Sequence, residues 1–132
     1  MEFEKLNIGR KKQAEESVTE QNTALAMGSG SLAVYATPAM TCLMEKAAAS
    51  LAEECLPENW TSVGISLEIR HTAPTPIGMS VRAEAKITQV DGRKITYEVC
   101  AFDEKGEIGS GTHERFIVEA EKFQNKANSK RS

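Results

Sequence analysis

The sequence predicts an α+β fold in which a curved antiparallel sheet wraps around one long central helix. Three observations predict it: a single long stretch with a 3.6-residue apolar period, several later stretches with period two, and short turn signals joining those later stretches. At 132 residues the chain makes one domain with one core, residues 1–132. Residues 1–12 and 124–132 read as frayed termini, although Phe3, Leu6 and Ile8 can lay a short edge on the body.

The helix is the stretch 37–55. Met40, Leu43, Met44, Ala47, Ala48, Leu51, Ala52 and Cys55 recur on one broad side. Thr37 reads as its N-cap, Pro38 fits the first helical position where no N–H is needed, and Leu56-Pro57 ends it. Small residues at 47–50 allow a sheet to approach closely on more than one side. Glu45 falls at the edge of the apolar arc.

Before the helix, residues 13–21 read as a modest strand, 26–31 as a glycine-rich turn and 32–36 as an apolar lead-in. After it the period becomes two. Residues 61–70 place Val63, Ile65, Leu67 and Ile69 on one face, and 79–90 alternate through Met79, Val81, Ala83, Ala85 and Ile87. Asp91-Gly92 is a hairpin signal leading to Ile95, Tyr97, Val99 and Ala101. A turn at 103–106 introduces the last strand, 108–119, and the polar stretch 120–130 reads as a short helix or tail. Hairpin connections make the sheet antiparallel, and the helix is its natural cover.

Composition excludes several classes. A net charge of −3 offers no excess of cations for nucleic acid. No segment reaches the roughly 18 apolar residues of a membrane span. Cys42, Cys55 and Cys100 form no CxxC pair, which argues for a reduced, cytoplasmic setting and against a zinc site. The candidate chemistry rests with Glu45, with His71 at the end of a strand stopped by 72–78, and with His113 among the glycines of 109–111, which point to a bulge or close backbone approach. By residue type alone His113 reads first as a hydrogen-bonded structural residue.

Ala36-Thr37-Pro38-Ala39-Met40 with Met44-Glu45, then Thr61-Ser62-Val63-Gly64, then the run 71–78 and the run 108–115, stand in an order and spacing that resemble the hot-dog-fold thioesterases related to fluoroacetyl-CoA thioesterase. The resemblance spans about residues 13–123. It implies a hot-dog fold, a homodimer or dimer of dimers with sheets joined edge to edge, an acyl-CoA substrate, and no cofactor beyond the CoA of that substrate. It puts catalytic roles on Thr37, Glu45 and His71, an N–H near the thioester at Gly64, and a site-lining arginine at Arg115. It departs at Gly28-Ser29-Gly30-Ser31, where the fluoroacetate enzyme carries a lid of phenylalanines, so fluoroacetyl specificity is not implied.

Thioester hydrolysis needs donors for the developing oxyanion and a group to start the attack. Backbone N–H groups can serve as donors, Glu45 can activate water or attack directly, and His71 can orient the acyl group. Thr37 and Glu45 stand eight residues apart, roughly 12 Å along a helix. The expectation is therefore a composite site at a dimer interface. A non-hydrolytic acyl-CoA binding module on the same fold is the alternative. A dehydratase or hydratase is a third reading, for which no Asp/His pair of the required kind is present.

Overall fold

The computed structural model describes residues 3–131. In chain order the elements are β1 (Lys11–Ser17), α1 (Ala24–Met27), α2 (Thr37–Cys55), β2 (Trp60–His71), β3 (Ser80–Asp91), β4 (Lys94–Asp103), β5 (Gly106–Glu119) and α3 (Ala120–Asn128), followed by a 3₁₀ turn, Ser129–Arg131. The five strands form one antiparallel sheet in the order β1-β3-β4-β5-β2. This is the predicted hot-dog architecture, with α2 held in the concave face of the sheet.

Every apolar position assigned to the inner side of the helix is buried, and Ala39 joins them. Removing a side chain the size of Met44 or Leu51 from water is worth about 1.5–3 kcal/mol, so the helix is held by its fit to the sheet. The facing strands supply that fit with small residues. Ala83, Ala101 and Gly109 form one cross-strand row, and Ala85, Val99 and Gly111 the next. A Cβ on Gly109 would lie 2.7 Å from the sulfur of Met40 and 2.7 Å from the carbonyl oxygen of Arg70. The glycines of β5 therefore mark close approach of helix and neighbouring strand, and a register shift against β4 beside them leaves Ile108 as an extra residue on β5.

A further bulge is on β2. The register with β5 shifts between Gly64 and Ser66, so Ile65 is an extra residue and the alternation reverses. Ser62 and Gly64 pair with Ile117 and Arg115, whose side chains are buried, and after the shift Leu67 pairs with buried His113. The inner face of β2 is thus Ser62, Gly64, Leu67, Ile69 and His71. The single apolar face expected from 61–70 is corrected here: Val63 points outward beside Phe116, and Ile65 is 51% exposed.

Other expectations also shift. The first strand starts earlier and ends at Ser17, because Asn22 turns the chain by donating to the Ser17 carbonyl and accepting from the Thr19 N–H. The 26–31 stretch contains the end of a helical turn, capped by the Thr23 hydroxyl and stopped by Gly28 at φ 73°. Residues 3–12 are not frayed: Leu6 is buried, Phe3 packs edge-on against Trp60, and Lys11 and Lys12 pair with β3. Ile8 is exposed. Residues 124–131 continue as α3 and the 3₁₀ turn. Met1, Glu2 and Ser132 lie outside the described residues.

Both edges of the sheet are open, and they differ. β1 has seven residues and carries Lys11, Lys12, Glu15 and Glu16, whereas β2 has twelve residues and a more apolar character. If the glycine rows set the distance between helix and sheet, Gly109→Ala and Gly111→Ala should each lose about 1–3 kcal/mol through overpacking. Denaturant midpoints measure this, and wild-type values for both variants would contradict the close approach.

Candidate active site

Thr37 does not cap α2. Ala36 does so by backbone alone: it lies extended at φ −78°, ψ 141°, its carbonyl accepts from the Met40 N–H at 3.0 Å, and its own N–H donates to Asn22 at 3.0 Å. The bridges Thr23 to Tyr35 and Val34 to Pro76 fix this extended entry. The helix consequently begins at Thr37 itself, one residue earlier than a Thr37 cap would give, Pro38 takes the second position, and the Thr37 hydroxyl is freed. It lies 2.8 Å from Nδ1 of His71, the last residue of β2.

Beside this pair opens a cavity of about 280 Å³ bordered by Val34, Tyr35, Thr37, His71, Ala73 and Pro74. Its wall is fixed at two points. Tyr35 donates to a Glu16 carboxylate oxygen at 2.5 Å, and its backbone N–H donates to Thr75, whose hydroxyl is held by Asp103 at 2.8 Å. Nε2 of His71 is buried without a hydrogen-bond partner. Burial lowers the His71 pKa, with the Ala73 backbone opposing in part, so the ring is neutral near pH 7.

Glu45 stands two turns further along α2 in a second cluster. Its carboxylate reaches Nη1 of Arg115 at 3.4 Å and lies 4.0 Å from Nε2 of His113. The same oxygen hangs over Gly64, where an added Cβ would meet it at 2.8 Å. Arg115 is anchored from the other side: Nε donates to the Ser62 hydroxyl at 2.8 Å and Nη2 to the Ser62 carbonyl at 2.9 Å. A buried guanidinium must have such partners. Glu45 is 45% exposed, so its ion pair adds only about 0–1 kcal/mol to stability; the placement of the carboxylate matters more than the pairing energy.

The five residues to which the family resemblance gives roles thus fall into two groups, Thr37 with His71 and Glu45 with Gly64 and Arg115. The structure does not join the groups within the chain. Two further residues join the second cluster: Ser62, which had no assigned role, and His113, a candidate that read first as structural. Their signal was parity, since Ser62 shares a strand face with Gly64, as His113 does with Arg115. Among the described residues no group of three or more His, Cys, Asp or Glu side chains is arranged to hold a metal ion.

The two histidines make stability depend on pH. Burial lowers both pKa values from the ordinary 6.5. The unfolded chain therefore binds protons first, and their contribution is full above about 6.5 and lost as pH falls through the lowered folded values. The urea midpoint should drop between pH 7.5 and 5.5, and a His71→Asn, His113→Gln double variant should flatten that slope. An equally steep slope in the variant would contradict the assignment.

Comparison with known proteins matches the sequence and the fold to one family. The family model described as "FlK: Fluoroacetyl-CoA-specific thioesterase" covers residues 18–121. A fluoroacetyl-CoA thioesterase of Streptantibioticus cattleyicolor is 40% identical over 97 residues, 74% of this chain and 70% of the relative. A solved structure of FlK superposes with a TM-score of 0.86 at 34% identity, covering 94% of this chain and 96% of that one. A Thermus thermophilus thioesterase-superfamily protein, TTHA0967, gives a TM-score of 0.88 at 29% identity over 96% and 93% of the two chains. Fold, motif order and sequence identity agree: the chain belongs to the FlK family of fluoroacetyl-CoA-specific thioesterases.

Proposed function

We propose that this protein hydrolyses acyl-CoA thioesters in a site shared between two protomers of a homodimer, alone or as half of a dimer of dimers. Glu45, Gly64 and Arg115 of one protomer face Thr37 and His71 of the other. The observation that carries this reading is the division of the family-matched residues into two incomplete clusters about 12 Å apart on one rigid helix. Each cluster retains unused capacity: a buried ring nitrogen without a partner on His71, and a half-exposed carboxylate on Glu45. The twelve-residue edge of β2, with its row of free backbone groups, is the natural surface for pairing with a second copy.

In such a site the acyl group occupies the cavity beside Tyr35 and Ala73, and backbone N–H groups near Gly64 stabilise the oxyanion. Glu45 either removes a proton from water, whose oxygen then bonds to the carbonyl carbon, or bonds to that carbon itself and is released by water. In both routes the C–S bond breaks, the thiolate takes up a proton, and the products are a carboxylic acid and free CoA. Thr37 holds the neutral His71 ring toward the acyl group. The reaction needs no cofactor and no metal. Cys42, Cys55 and Cys100 are all free thiols and suit a reducing cytoplasm, and among the described residues no helix is long and apolar enough to cross a membrane.

Glu45→Gln keeps an acceptor for Arg115 but removes the base, so kcat should fall by about 10²–10⁴ with little change in melting temperature. Thiol release from a panel of acyl-CoA esters reads this, and unchanged turnover would end the assignment. Gly64→Ala meets only the movable end of Glu45 at its closest contact. The enclosed His113 ring lies 3.3 Å from the added Cβ as well, so the variant should fold with a modest loss of stability and lose activity. For the shared site, separately inactive Glu45→Gln and His71→Ala proteins should recover about a quarter of wild-type activity after subunit exchange, because half the dimers then carry one intact site. No recovery among exchanged dimers would place the whole site within one protomer.

A further inference from the structure

His113 is the most enclosed polar side chain of the Glu45 cluster, 1% exposed, and the mechanism above gives it no task. Its surroundings dictate its protonation. Nδ1 lies 2.8 Å from the carbonyl oxygen of Ser66, which can only accept, so Nδ1 carries the hydrogen. Nε2 lies 3.2 Å from Nη1 of Arg115, which can only donate, so Nε2 offers its lone pair. Tyr97 of β4 stacks on the ring at 5.9 Å and 24° and fixes its plane.

We propose that His113 is a positioning residue: as a neutral imidazole locked in the Nδ1–H form, it accepts from Arg115 and so aims the Nη1 edge of that guanidinium at Glu45. Ser62 already takes Nε and Nη2. The remaining nitrogen has two acceptors, His113 inside and Glu45 outside, and the inner one cannot move. Without it the guanidinium can turn about its Ser62 contacts, and the Glu45 carboxylate loses its fixed place above Gly64.

The charges around the ring favour the same state. Burial lowers the His113 pKa, the Ser66 contact on β2 opposes this, Arg115 on β5 lowers it further, and Glu45 on α2 and Glu114 on β5 oppose it. Tyr97, from β4, remains a neutral phenol because burial pushes its pKa far above neutrality. A protonated ring would set an N–H against the Arg115 N–H and release the guanidinium.

The inference rests on Glu45 being the catalytic carboxylate, and its first test does not need turnover. Long-range ¹H–¹⁵N spectra of the wild-type imidazoles at pH 7 should show His113 as the Nδ1–H tautomer, with Nε2 unprotonated. An Nε2–H or doubly protonated ring would overturn the proposal whether or not the protein hydrolyses any thioester. The second test compares two variants. His113→Asn retains a donor for Ser66 but has nothing to offer Arg115, and should lower kcat about tenfold with KM little changed. His113→Gln can extend an acceptor to Arg115 and should restore most of the loss. Equal kcat in two folded variants would make His113 merely structural.

Discussion

The stiffness of one helix governs the chemistry available to this fold. A helix packed against a sheet along its whole length cannot bend to bring residues two turns apart into contact, and Thr37 and Glu45 are separated in this way. Each must find its partners locally. Thr37 finds His71 at the end of β2, and Glu45 finds Arg115 on β5. Two separate clusters follow from that constraint, and in the proposed reading a second copy of the chain completes both at once.

Close packing makes this rigidity possible. Gly109 and Gly111 let β2 and α2 approach β5 nearer than any side chain would allow, which draws the helix start toward His71. The bulge at Ile65 then reverses the pleat of β2. Without that extra residue Gly64 and His71 would fall on opposite faces of the strand; with it, both face the helix. The irregularity on β2 thereby places both clusters on the same inner surface. The cost is an outward-facing Val63 and Ile65 on an unpaired edge, which a monomer would leave in water.

Much of this was legible in the residues. Periodicity located the body of α2 and Leu56-Pro57 its end, and the hairpin signals at 91–92 and 103–106 delivered β3, β4 and β5 in antiparallel order. Three features were not legible, each for a physical reason. The capping role assigned to Thr37 failed because backbone bonds from Asn22 and the bridges at Tyr35 and Val34 had already determined the turn into the helix. The bulge left no composition signal, since Ile65 continues an apolar alternation that a regular strand would also show. His113 looked like an isolated strand histidine because its hydrogen-bond partner Ser66 comes from β2, which only the sheet order brings beside β5, and because stacking on Tyr97 depends on the register of the β4–β5 hairpin.

The central claim is that two protomers share each site, and it is tested most directly by measuring specific activity on dilution through the dimer–monomer transition, with mass measured in parallel. The account predicts activity proportional to the dimer fraction and vanishing with it. A folded monomer that hydrolyses thioester at the full rate per chain would contradict it.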